Sequence, residues 1–390
     1  MKRTYLGLAA TAVLFFGGIQ VSRAQTSQPI TTTAVPFLRI SPDARGGGMG
    51  DLGVATTPDA SSNFYNLSKT PFNKHDIGIS LTYTPWLKDL GLNDVYLLAA
   101  SGFKKLDEFS AISGSVRYFS LGNIQFTDNN GQPIGTGNPR EWGLDLGYSR
   151  KLSNNLSVAL AGRYIYSNLA GGYASSGGTT YQPGKTFAAD ISFFYHGVTD
   201  EAGGWNFGLA LSNLGGKIGY TNSATDKDYI PSDLGLGTTY TMVFNEDNKL
   251  MLGLDIHKLL VPAPPADLSD SAAVANYHNK NIVSSWFSSF SGPSQFKTLQ
   301  ASIGAEYAYQ DQFFFRAGYY YEDRNQGDRK YFSVGVGLKY NVMGLNFSYL
   351  VPSGSGTTRN PLSNTLRFGL SFDLDSNPDN STSTPSTTTP

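Results

Sequence analysis

The chain has 390 residues, with 44 Gly, 23 Tyr, 24 Phe and only 15% charged residues, a bias toward strand-forming aromatics and turn-forming glycine and away from helix. A net charge of −1 offers no basic face to nucleic-acid phosphates, so nucleic acid is not an expected partner. The absence of cysteine excludes disulfides, iron–sulfur and thiolate zinc sites, and a lipid anchor on an N-terminal cysteine.

Residues 1–24 read as a secretory signal peptide. Lys2 and Arg3 form the charged start, Leu6 to Ile19 the apolar run, and Ser22-Arg23-Ala24 a small-x-small cleavage site, so the mature chain is expected to begin at Gln25. The apolar run is shorter than the roughly 18 to 20 residues of a spanning helix. Residues 25–74 show no strand alternation. Their glycines permit tight turns and positive φ, which suits a compact irregular plug inside a barrel.

From about residue 75 to 373 one unit recurs, a run of roughly ten residues alternating apolar with small or polar side chains. In one run Trp142, Leu144, Leu146 and Tyr148 stand opposite Gly143, Asp145, Gly147 and Ser149. In the next, Leu156, Val158, Leu160, Tyr164 and Tyr166 stand opposite Ser157, Ala159, Ala161 and Arg163. The pattern predicts about fourteen strands from Ile77 onward, forming a transmembrane antiparallel β-barrel. Short connections near 103–108, 150–155, 197–204, 244–249, 309–312 and 341–344 alternate with long ones near 121–140, 168–184, 213–231, 259–297, 322–330 and 352–362. An even strand count with the short turns on one side predicts periplasmic termini and long loops outside the cell.

Parity supplies a second test. Arg117, Asp145, Arg163, Asp190, Asp255, Glu306, Arg316 and Arg367 all fall opposite the large apolar residues, where a lumen rather than lipid would receive them. A soluble sandwich would show the same parity, but the aromatic load on the other face would then form large exposed patches. Residues 374–390, rich in Ser, Thr, Pro and Asn, read as a disordered periplasmic tail.

Gly48, Gly50 and Gly53 match G-x-G-x-x-G, yet no strand precedes them and Pro58 breaks any following helix, so a close-packing turn is the expected role. His75, His196, His257 and His278 are scattered, without metal-ligand spacing. Asp255 and His257 lie two apart on one face, an acid–base pair in principle. With no nucleophile motif nearby, a structural hydrogen bond is the expected reading. Neither catalysis nor a cofactor or metal site is predicted. The longest loop carries Ile282, Val283, Trp286, Phe287 and Phe290 at helical spacing. This face either packs on the barrel mouth or docks a partner protein.

The segment PFLRISPDARGGGMGDLGVATTPDASSNFYNLS, Pro36 to Ser68, ahead of a fourteen-strand barrel resembles the PorV (LptO) family of the Bacteroidetes type IX secretion system, within the FadL-like barrel superfamily. The plug motif residues are Asp43, Arg45, Gly46, Gly47, Gly48, Met49, Gly50, Asp51 and Asn66. Many FadL-like plugs end in Asn-Pro-Ala, where this chain has Asn66-Leu67-Ser68. The resemblance implies a protein-secretion component that takes substrates bearing a C-terminal secretion domain from a translocon. It would pass them to a sortase-like complex that attaches them to lipopolysaccharide, with outer-membrane lipid around it. The alternatives are a FadL-like transporter of hydrophobic small molecules and a lipid-modifying enzyme using Asp255 and His257.

Overall fold

A computed structural model describes residues 30–88, 91–128, 130–169, 181–222, 227–291, 295–323, 326–351 and 364–375. The expected signal peptide and residues 376–390 of the expected tail lie outside the described residues, as do part of the connection near 168–184 and the whole of that near 352–362. Period-two alternation makes each apolar row one face of a strand, and fourteen strands join in chain order into a closed antiparallel barrel. They are β1 (Ile77–Pro85), β2 (Val95–Lys105), β3 (Ser110–Leu121), β6 (Arg140–Lys151), β7 (Leu156–Asn168), β8 (Gly184–His196) and β9 (Gly204–Gly215), then β12 (Asp233–Asn245), β13 (Asn248–Leu259), β14 (Leu299–Tyr309), β15 (Phe313–Glu322), β16 (Lys330–Tyr340), β17 (Met343–Val351) and β18 (Leu366–Leu374). The ring closes where β1 pairs with β18, from Ile77 opposite Leu374 to Tyr83 opposite Phe368, so no barrel edge is left to seek another chain.

Which face meets lipid follows from the side chains. Leu144, Leu146 and Tyr148 of β6, Phe187 and Phe193 of β8, and Phe332, Val334 and Val336 of β16 point outward and are exposed. The eight ionisable residues assigned to the lumen by parity point inward. Arg117, Asp145, Arg163, Asp255, Glu306, Arg316 and Arg367 are buried, and Asp190 is mostly so. Strands of 9 to 13 residues match the roughly 9 to 11 that a tilted strand needs to cross the bilayer.

Connection lengths alternate around the whole ring. The short turns cover 106–109, 152–155, 197–203, 246–247, 310–312 and 341–342. The long loops cover 86–94, 122–139, 169–183, 216–232, 260–298, 323–329 and 352–365. Loop 86–94 is absent from the set read in the sequence. Three long loops carry structure of their own. A hairpin of β4 (Ile124–Thr127) and β5 (Pro133–Gly137) occupies 122–139, and a small ladder of β10 (Ile218–Gly219) and β11 (Lys227–Asp228) occupies 216–232. Loop 260–298 carries two helices.

The segment before β1 folds as short turns rather than strands. Helix α1 (Ala44–Gly47) is capped by Asp43, whose carboxylate accepts the Arg45 and Gly46 N–H groups, and 3-10 turns cover Pro36–Arg39, Ser62–Phe64 and Leu67–Phe72. Its path runs the length of the barrel. Ala34 N–H donates to the Tyr229 carbonyl in a long loop at 2.9 Å, whereas Lys74 pairs with Asp200 in a short turn. The chain end expected at Gln25 lies outside the described residues, so only the course of the segment from residue 30 onward is seen. Asp375 lies on the short-turn side, against His75, but the first described residues lie at the opposite mouth, because the segment threads the lumen before β1 begins.

Candidate functional site: the filled lumen and the outer helical loop

Inside the barrel the N-terminal segment meets strands all round the ring. Arg45 is the hub. Its guanidinium donates to Glu306 of β14 at 2.7 and 2.9 Å, to Asp59 at 2.7 Å, and to the carbonyl and hydroxyl of Thr57 at 3.0 and 2.6 Å. Glu306 also accepts from Arg316 of β15 at 2.6 Å, so one buried carboxylate joins two guanidiniums. Asp51 accepts from Arg367 of β18 at 2.7 Å and from the Tyr331 hydroxyl of β16 at 2.5 Å. Asp255 of β13 accepts the N–H groups of Gly53 and Val54 at 2.7 and 2.8 Å, and Arg39 reaches Glu322 of β15 at 2.6 Å. On the far wall Arg117 of β3 donates to the Leu38 carbonyl, and Asn66 donates to the Phe193 carbonyl of β8 and accepts from Ser68 N–H.

The glycine cluster is explained by this packing. A Cβ on Gly47 would sit 2.0 Å from Arg367 Nη1, and one on Gly48 would sit 3.0 Å from the Gly335 Cα, so backbone lies directly on wall. At Gly50 φ is +72°, which reverses the chain and aims Asp51 at its partners, while Gly50 N–H donates to Ser333. Gly46 lies against the Tyr65 hydroxyl, and Met49 is fully buried with Leu52 and Met251. Of the G-x-G-x-x-G glycines, Gly48 and Gly50 thus serve close approach to the wall, while Gly53 makes room for the Tyr65 ring within the segment itself.

The lumen is filled differently at its two ends. Toward the long loops Val35, Phe37 and Leu38 form an apolar cluster with Trp86, Leu97, Phe119, Ile165, Ile218 and Ile230. Toward the short turns a cavity of about 340 Å³ is lined by Arg45, Asp59, Lys74, His196, Glu306 and Lys339 among others. Asp255 and His257 do not form the pair suggested by their spacing. Asp255 holds the segment's N–H groups, while His257 Nδ1 lies 2.6 Å from Asp233 on the neighbouring strand.

At the long-loop mouth, helix α2 (Ser271–Asn279) is followed by helix α3 (Ile282–Ser288), N-capped by Asn281. The five apolar residues read as one face divide into two groups. Val283, Phe287 and Phe290 are exposed, Phe287 by 73%, whereas Ile282 and Trp286 are half-buried. The face turned inward is that of Ser285 and Ser289, both buried. Ser285 Oγ lies 2.9 Å from the Tyr229 hydroxyl of loop 216–232, and that hydroxyl donates to the Tyr277 carbonyl. Lys217 donates from Nζ to the carbonyls of His278 and Lys280 at 2.5 and 2.9 Å, and lies 4.3 Å from the Tyr229 ring centroid. Burial raises the Tyr229 and Tyr277 phenols and lowers the Lys217 ammonium. Sequence reasoning missed Lys217, Tyr229 and Ser285, since nothing in a loop sequence signals that a serine face is the one turned inward.

Fold and lumen define a transmembrane-type β-barrel, fourteen antiparallel strands closed around an internally packed N-terminal segment. A family model described as type IX secretion system protein PorV matches residues 23–266, and the chain belongs to that family. No curated protein matches the sequence. Among solved structures, it is similar to the deltaS2S3 mutant of the monoaromatic hydrocarbon channel TodX (12% identity, 85% of this chain and 98% of that one, TM-score 0.52). It is also similar to the toluene transporter TbuX of Ralstonia pickettii (12% identity, 85% and 97%, TM-score 0.51) and to the monoaromatic hydrocarbon channel CymD (11% identity, 85% and 97%, TM-score 0.50). At such identities the likeness shows the fold alone. The family is described as one of type IX secretion system proteins, and these three structures are described as channels and a transporter.

Proposed function

We propose that the chain receives substrates bearing a C-terminal secretion domain from the type IX translocon and passes them to a sortase-like attachment complex at the cell surface. In this reading the long loops face outward and the N-terminal segment closes the lumen. The Val283 and Phe287 face of α3, with Phe290 just past its C-terminal end, docks a partner protein. The observation that carries the docking is the outward placement of Val283 and Phe287 on a helix whose other face is hydrogen-bonded down, with Phe290 exposed just past its end. Val283 and Phe287, left in water one helical turn apart, are costly unless something covers them, while Phe290 beside them also has the Lys258 ammonium 5.2 Å from its ring centroid. A hydrophobic small molecule finds less support, because the larger lumen cavity sets Arg45, Asp59, Lys74, Glu306, Arg316 and Lys339 among apolar side chains such as Phe72 and Phe314.

The test replaces Val283, Phe287 and Phe290 together by Ser in the full-length protein. Heat-modifiable gel migration should be unchanged, since these residues lie outside the strands. Recovery of the translocon in a pull-down, and secretion of its substrates, should fall, each anchor contributing on the order of 2 kcal/mol. Unchanged recovery in a correctly assembled variant removes α3 from the docking surface.

A further inference from the structure

The exposed row on α3 is held in place by groups belonging to another loop. Lys217, just before β10, sends both of its hydrogen bonds to the backbone at the junction of the two helices, the His278 and Lys280 carbonyls. His278 lies in the last turn of α2 and Lys280 follows it, so a cation here meets carbonyls that no helical N–H satisfies. The next residue, Asn281, caps α3 by accepting the Val283 and Ser284 N–H groups. Fixing 278–281 therefore fixes the direction in which α3 leaves. Tyr229 adds the second point. Its ring lies beneath the Lys217 ammonium, and its hydroxyl engages Tyr277 of α2 and Ser285 of α3. Ser285 turned inward places Val283 and Phe287, two residues to either side, on the opposite side of the helix. Among the described residues Lys217 forms no ion pair, so its charge is committed to the two carbonyls.

We infer that Lys217 and Tyr229 are positioning residues that hold the α2–α3 junction so that Val283, Phe287 and Phe290 face the partner as one rigid row. This rests on the docking reading above. Preformed geometry matters here because a floppy loop loses side-chain and backbone freedom on binding, which subtracts from affinity.

The experiment compares wild type, Lys217→Met, Lys217→Arg and Tyr229→Phe in the full-length barrel in detergent. Amide hydrogen exchange over 271–290 is followed together with recovery of the type IX translocon, detected by its own antibody. Met keeps the aliphatic stem and removes the donor. Exchange at Ser285 and Ser289 should accelerate about tenfold or more, as expected for loss of hydrogen bonds to a charged group, and translocon recovery should fall severalfold. Lys217→Arg, which can still donate to two carbonyls, should retain most of both. Tyr229→Phe, which loses one hydroxyl, should show a smaller change in the same direction, and it serves as the test if Lys217→Met fails to assemble. Unchanged exchange in both Lys217→Met and Tyr229→Phe overturns the clamp. Accelerated exchange with undiminished recovery overturns its role in docking. The docking reading fails separately, through the triple Ser variant carrying an intact Lys217.

Discussion

The filled lumen makes Arg45→Met the most informative single change. Met approximates the aliphatic length of Arg45 and removes the guanidinium, deleting its bonds to Glu306, Asp59 and Thr57 at once. Removing one partner of a buried ion pair costs about 3 to 5 kcal/mol, because the remaining charge stays buried without compensation. Glu306 keeps Arg316 at 2.6 Å, which places the expected cost near the lower end. About 3 kcal/mol corresponds to roughly a hundredfold increase in local opening of the segment. Hydrogen exchange of the detergent-solubilised barrel reads this directly, with amides across 44–62 accelerating while those of β6 to β8, which Arg45 does not touch, stay protected. Lys249→Met is the control. Its pair with Asp311 is solvated on the Asp311 side, so the change should cost no more than about 1 kcal/mol. Exchange across 44–62 that rises less than about threefold, or that rises equally in the strands, would refute the argument that Arg45 holds this segment to the wall.

Leu146→Arg places a charge on the lipid face in the middle of β6, at a side chain 67% exposed. It should destabilise the barrel by about 2 to 4 kcal/mol in urea titrations in lipid, with no loss for a Leu146→Phe control. Gly318→Ala puts a Cβ 2.0 Å from the Met49 backbone carbon, where no side-chain rotation relieves the clash. A loss of about 1 to 3 kcal/mol in the same assay is expected, and an unaltered midpoint would mean that the segment yields at that point. In planar bilayers the wild-type protein should show no steady porin-scale conductance, and a large open channel at rest would contradict a lumen closed by the N-terminal segment. An epitope inserted at Gly131 in the 122–139 loop should bind antibody on intact cells and one at 246–247 should not; reversed labelling would invert the proposed orientation.

Much of the barrel was legible because its physics is local. Side chains alternate with period two, and the lipid face tolerates few charges, so strand, face and lumen residues follow from runs such as Trp142 to Ser149. Loop 86–94 escaped because Trp86, Leu87 and Leu92 keep the sequence apolar past the end of β1, and Trp86 turns into the inner cluster rather than to solvent. The chemistry inside the lumen was less legible. Arg45 and Glu306 lie 261 residues apart, and only closure of the ring brings them within hydrogen-bonding distance. The spacing of Asp255 and His257 placed them on one face, but their partners are set by the neighbouring strand and by the segment crossing the lumen. The helical period at 282–290 was correct, whereas the face was not. Apolar residues were grouped together, and the inward side is defined by the hydrogen bonds of Ser285.

The segment threaded through the ring has a consequence for how the molecule is made. The seam between β1 and β18 joins the first and last strands, so the ring cannot be complete until the end of the barrel sequence is available. The residues that fill it, Ala34 to Asn73, come before every strand. The contents of the container exist before the container does, and a finished ring would have to admit Arg45, Asp51 and Arg39 past an apolar collar at one mouth or a charged vestibule at the other. Closing the wall around a segment already gathered inside avoids that passage.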